Sequence, residues 1–181
     1  EMLHHIPGAA TVANLVLEAP GLGNIAKFLA GMTQHRPAPK FAPESFTQWF
    51  ARRPARNVGL SKVLLFADTF NNHFHVETAQ AAVEVLEDAG FQVVVPMADL
   101  CCGRPLYDYG MLDMAKRWLE IILQSMREEI QNGMPMVVLE PSCCAVFRDE
   151  MPNMLPNDKD AMRLKINTFT LAEFLQKKAP N

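Results

Sequence analysis

Beyond Leu60 the apolar positions alternate between two patterns. KVLLFA (62–67), FQVVVP (91–96) and MPMVVLE (134–140) are unbroken apolar runs of strand length, as expected for strands covered on both faces. Between them the apolar residues return at helical spacing. Val76, Ala79, Ala82, Val83 and Leu86 form one stripe, closed by Gly90. Met111, Met114, Ala115, Trp118, Ile121, Ile122 and Met126 form a second, on one long helix that Gly133 stops. A short helix is expected around Ala145 to Met151, then a loop with Pro152 and Pro156. Lys165 to Thr168 reads as a short strand and Thr170 to Lys177 as a final helix. This order predicts an α/β fold, a three-layer α-β-α arrangement with a small parallel sheet of right-handed βαβ units.

The first sixty residues follow neither pattern for long and predict a partly helical arm. Thr11 to Glu18, capped by Thr11 and halted by Pro20-Gly21, and Gly23 to Met32 can each be helical. HRPAPKFAP is too rich in proline to be regular. Ser45 can cap a turn that carries Phe46, Trp49 and Phe50, rings that either pack onto the main domain or await a partner. The chain therefore divides into an arm or linker, 1–60, and a domain, 61–178. Charge shifts at the same place: six basic and three acidic residues up to Leu60, 11 and 17 after it. Arg52, Arg53 and Arg56 read as a solvated linker surface.

A net charge of -3 argues against an extended nucleic-acid surface. No apolar run approaches the roughly eighteen residues that would span a bilayer, and the N-terminus lacks the order of a secretory signal. Glu1 ahead of Met2 reads as a cloning remnant, so the chain is expected to be a piece of something longer. A reduced, cytoplasmic setting is expected from the cysteines, which fall as two adjacent pairs, Cys101-Cys102 and Cys143-Cys144.

Asp68, Cys101-Cys102 and the stretch Glu140 to Cys144 fall just beyond the carboxyl ends of successive strands, where open α/β sheets carry their sites. The strand order predicts that Cys101, Cys102 and Cys143 lie together, with Asp68 and Glu140 in the same pocket. Thiolates bind iron or zinc well, but adjacent cysteines suit one zinc poorly, because its usual ligands are two to four residues apart. Gly103 would let backbone N–H groups approach sulfur, and Arg104 would offset thiolate charge. His73, His75 and Glu77 do not share a helix face and make a poor metal site; Asn71 or Asn72 is expected to cap the helix there. No nucleotide-binding glycine motif or nucleophile elbow is present.

FADTFNNHFHVETAQAAVEVLEDAGFQVVVP, LCCGRPLYDYG and VVLEPSCCAVFRDE together resemble the cysteine-rich CCG domain. That family occurs in heterodisulfide reductase, in iron–sulfur subunits of glycolate and glycerol-3-phosphate dehydrogenases, and in lactate-utilisation proteins. The likeness covers residues 36 to 178 and is strongest to the first of two such modules in large fused FAD-linked oxidases. It implies an iron–sulfur electron-transfer module, of 4Fe-4S or related type, within an oxidoreductase that acts on a 2-hydroxy acid of the glycolate or D-lactate kind. FAD would belong to another domain, and the partners would be a second CCG module, a ferredoxin-like domain and, indirectly, a membrane quinone. The module would be non-catalytic, and cytoplasmic or peripheral at the inner face of the membrane.

Residue by residue, the resemblance places Cys101 and Cys102 at the family's cysteine pair and Cys143 at the last cysteine of its C-x-x-C. Asp68 and Glu140 stand at two further cysteine positions, where a carboxylate suits an iron–sulfur cluster poorly. The implied metal set is Cys101, Cys102, Cys143, Asp68 and Glu140, with Gly103 beside it. Cys144 lies outside the family positions and reads as core. Two other outcomes stay open: a scaffold or interaction module without a cluster, and a zinc-binding module.

Overall fold

The computed structural model describes residues 9–19 and 21–179. Four parallel strands, β1 (Lys62–Phe66), β2 (Gln92–Val94), β3 (Met136–Val138) and β4 (Thr168–Thr170), lie in the order β2-β1-β3-β4. Leu64 is opposite both Val94 and Met136, and Phe66 is opposite Val138. Because β1 is central, its alternate residues feed two cores. Leu64 and Phe66 pack on one face of the sheet, and Val63 and Leu65 on the other.

Helices α1 (Ala9–Glu18), α2 (Leu22–Leu29) and α3 (Phe46–Arg52) belong to the arm. Next come α4 (Thr69–His73) and α5 (Val76–Asp88) after β1, and α6 (Arg104–Asp108), α7 (Leu112–Ser125) and α8 (Arg127–Gln131) after β2. After β3 the chain makes α9 (Pro141–Ala145), a π-helical turn (Val146–Glu150), α10 (Met151–Met154) and α11 (Lys159–Asn167); α12 (Leu171–Lys178) follows β4. The Leu64 face carries α7, α8, the π turn and α11, with Leu119, Ile122, Met126, Phe147 and Leu164 at its centre. The opposite face carries α3, α5 and α12. Three layers result, as the apolar periodicity predicts.

Several local expectations need correction. The long helix expected to run to Gly133 breaks at Met126, whose φ of -116° leaves the helical region while its side chain is fully buried. The strand expected at Lys165 starts only at Thr168, because Asp158 accepts from the N–H groups of Asp160 and Ala161 and starts α11 ahead of it. Pro152 lies not in a loop but inside a continuous helical run from Pro141 through the π turn to Met154. Leu22–Leu29 replaces the expected 23–32, Thr11 lies inside α1 rather than at its start, and Pro20 lies outside the described residues.

The aromatic turn of the arm packs onto the main domain. Ser45 and Gln48 form a capping box at α3, and Phe46 is completely buried in the core of α5 and α12. Arg53 is part of this anchor rather than a solvated cation. It pairs with the buried carboxylate of Glu87 at 2.7 and 2.8 Å and lies 5.0 Å from the centre of the Trp49 ring. Among the described residues no helix is long and apolar enough to cross a membrane.

Candidate functional site

The strand order reverses between β1 and β3, and the crevice beyond their carboxyl ends is where an open parallel sheet leaves room for a site. Three chain segments reach it. Asp68 and α4 follow β1, the irregular 95–103 loop with Cys101 and Cys102 follows β2, and Glu140 with α9 follows β3. Asp68, Cys101, Cys102, Glu140 and Cys143 all line one cavity of about 650 Å³, together with Thr69, Phe70, Arg104 and Ser142.

Both carboxylates have structural work. Asp68, only 2% exposed, is the N-cap of α4. Its Oδ1 accepts from the N–H groups of Phe70 and Asn71 at 3.0 and 3.2 Å, and its Oδ2 from Asn71 Nδ2 at 2.5 Å. Asn71 and Asn72 lie inside α4 and do not cap α5 as expected, since α5 starts after His75 with no side-chain cap; Asn72 instead accepts the Thr47 N–H at 3.0 Å and ties the arm to α4. Glu140 is the N-cap of α9 and accepts from the Ser142 N–H at 3.4 Å and its hydroxyl at 3.1 Å.

The thiols form a chain. Cys102 and Cys143, 4% and 5% exposed, have their sulfurs 2.8 Å apart, and Cys101, more open, hydrogen-bonds to Cys102. The backbone amides of Gly103 and Arg104 reach the sulfurs of Cys101 and Cys102, and Thr69 also hydrogen-bonds to Cys101. The hydrogen bond with Cys102 and burial push the Cys101 thiol well above the usual range. At Cys102 the hydrogen bond with Cys101 pulls downward, but the one with Cys143 and burial outweigh it and push the thiol up to about 12. Cys101 and Cys102 are thus neutral near pH 7 and not poised as thiolates. Cys144 is buried in the core, its thiol raised mainly by burial.

Gly103 has a φ of +78°, which begins α6 in a conformation that favours glycine. A Cβ there would face Trp118 and Ala115, at 3.9 and 4.0 Å, in ordinary contact. Arg104 lines the cavity, but its guanidinium is engaged by Asp108 and Glu150. Neither Tyr107 nor Tyr109 lines the cavity, and both rings are exposed. His73 is buried while His75 is exposed beside Glu77, so that triplet makes no common site. Thr69, Ser142 and Glu150 were not singled out by sequence. Thr69 was legible in principle as the residue after a strand-end acid; the Arg104–Glu150 pairing spans 46 residues and left no local signal.

Among the described residues no group of three or more His, Cys, Asp or Glu side chains is placed to hold a metal ion. The donor chemistry agrees. Two of the five expected positions are carboxylates, harder donors than thiolate, and each already caps a helix. The residues present do not fit a five-cysteine iron–sulfur cluster.

Residues 68–148 match the family model described as a cysteine-rich domain, CCG. The chain is 28% identical over 137 residues to one subunit of the anaerobic glycerol-3-phosphate dehydrogenase of Escherichia coli K12, an alignment that covers 75% of this chain and 35% of that protein. It is 31% identical over 118 residues to lactate utilization protein A of Geobacillus kaustophilus, covering 63% of this chain and 47% of that protein. The chain thus spans between a third and a half of the length of these relatives. No solved structure matches it significantly.

Proposed function

We propose that this CCG segment is a non-catalytic docking module of an FAD-linked oxidoreductase assembly, acting beside the flavin domain without a cluster of its own. A 2-hydroxy acid or glycerol 3-phosphate is the substrate class, in keeping with the names of the relatives. The observation that carries this reading is the commitment of Asp68 and Glu140 to capping α4 and α9, which leaves three thiols and no metal-holding group among the described residues. The turn between α6 and α7 exposes apolar side chains that suit docking. Tyr109 is 83% exposed, and Met111, Leu112 and Met114 are also exposed. Exposed apolar side chains grouped in this way are typical of an interaction face.

In the complete oxidoreductase, changing Cys101, Cys102 and Cys143 to serine should leave kcat for electron transfer within about twofold, because the electrons that leave the flavin are not routed through them. Tyr109→Glu and Met114→Glu should weaken assembly and lower activity with it. Loss of electron transfer in the serine variants with assembly intact would overturn the docking reading.

A second reading, an iron–sulfur electron-transfer module, draws on the convergence of Cys101, Cys102 and Cys143 on one cavity. It needs a further ligand from a partner domain and predicts iron that those serine variants lose. Zinc found in protein purified without added iron would mark the remaining alternative.

A further inference from the structure

We propose that Cys102 and Cys143 form a reversible intramolecular disulfide, making the cavity a dithiol redox site open to small disulfides. The docking reading neither supplies this idea nor is needed for it. It rests on four observations. The two sulfurs are 2.8 Å apart, within an ångström of bonding distance. They come from segments anchored separately, the loop after β2 and the first turn of α9, so their approach is imposed by the sheet and not by chain proximity. Both line the same cavity of about 650 Å³, large enough to admit a small thiol compound. The carboxylates on either side are held by backbone N–H groups of their own helices, so neither competes for the sulfurs.

Cys102 lies on a loop and not in a helix. Residues 95–103 contain no regular structure, and helix α6 begins only after them. Cys143, by contrast, is fixed in α9. Cys144 is next to Cys143 in sequence but packs into the core and does not line the cavity.

In the oxidising direction one cysteine of the pair gives its proton to solvent and attacks a small external disulfide as thiolate; that S–S bond breaks, and the departing thiolate takes up a proton as the first small thiol. The other cysteine then attacks the mixed disulfide, forming the Cys102–Cys143 bond and releasing the second small thiol. Two protons and two electrons pass from the protein thiols to the two small thiols. A small dithiol reverses both steps.

The test is an equilibration of the fully reduced chain with mixtures of reduced and oxidised glutathione, anaerobically, followed by acid quench, alkylation and mass mapping. The number of alkylated cysteines should fall from four to two as the mixture becomes oxidising, and dithiothreitol should restore all four. Fragment spectra should place the link between Cys102 and Cys143. The Cys101→Ser/Cys144→Ser double variant, which leaves only the pair, should lose both free thiols over the same range, and Cys102→Ser should abolish the link. Four alkylatable cysteines throughout, or a link that uses Cys101 or Cys144, would overturn the proposal. The assay reads thiols alone, so its failure leaves the docking reading standing, and failure of the docking reading leaves the dithiol standing.

Discussion

Asp68 accepts three hydrogen bonds from the first turn of α4, and its burial makes each of them matter more than a surface cap would. Asp68→Ala should cost about 2 kcal/mol in urea unfolding, since it removes the cap and leaves buried N–H groups unpaired. Asp68→Asn keeps one acceptor oxygen and should cost less. Gly103→Ala should cost about 1 kcal/mol, from the positive φ alone, because the added carbon meets nothing closer than ordinary contact. Arg104 carries a different burden. Glu150 is buried, and its second carboxylate oxygen has no hydrogen-bond partner. Arg104→Ala should therefore destabilise by about 1.5–3 kcal/mol, through the charge left behind on Glu150. The strand-end position of Asp68 could be read from the sequence, but its role could not. An acid two residues past a strand looks the same whether it meets a ligand or a helix N-terminus.

At the scale of elements, the three buried strands and α5 were plain in the sequence, because runs of Val, Leu and Phe and a stripe from Val76 to Leu86 admit one period each. The break at Met126 was not. Its apolar side chain fits the helical stripe and is fully buried in the same core as Ile122 and Phe147, so nothing local marks the break. The π turn at Val146–Glu150 has no local signature either. It brings Arg148 over the start of α12, where the guanidinium donates to Thr168 O at 2.8 and 3.0 Å and meets the Glu173 carboxylate. Arg148, and after it the Thr170 backbone N–H, holds the Glu173 carboxyl down to about 2. A depressed carboxyl contributes stability that is fully present above its unfolded pKa and is lost as pH falls through the folded value. The Arg148–Glu173 contribution should thus fade between about pH 4.5 and about pH 2. An NMR titration of Glu173 checks this, and Arg148→Gln should return the carboxyl toward its ordinary range.

For the whole molecule, the topology does most to assemble the site. Parallel strands in the order β2-β1-β3-β4 deliver Asp68, Cys101, Cys102, Glu140 and Cys143 to one cavity although they span 76 positions of the sequence. Their convergence was legible from strand order alone. The side-chain chemistry inside the cavity was not, since it depends on which groups the helix termini claim first. The exposed residues from Tyr109 to Met114 belong to the same scale. Light scattering should show self-association of the isolated chain that rises with concentration and is lost in a Tyr109→Glu/Met114→Glu variant. The central claim, that this cavity holds hydrogen-bonded thiols and capped helices rather than a cluster, is tested most directly by anaerobic reconstitution with iron and sulfide, followed by elemental analysis and EPR. The account predicts iron and acid-labile sulfide far below one cluster per chain, unchanged in Cys101→Ser, Cys102→Ser and Cys143→Ser; stoichiometric iron and sulfide that those variants lose would contradict it.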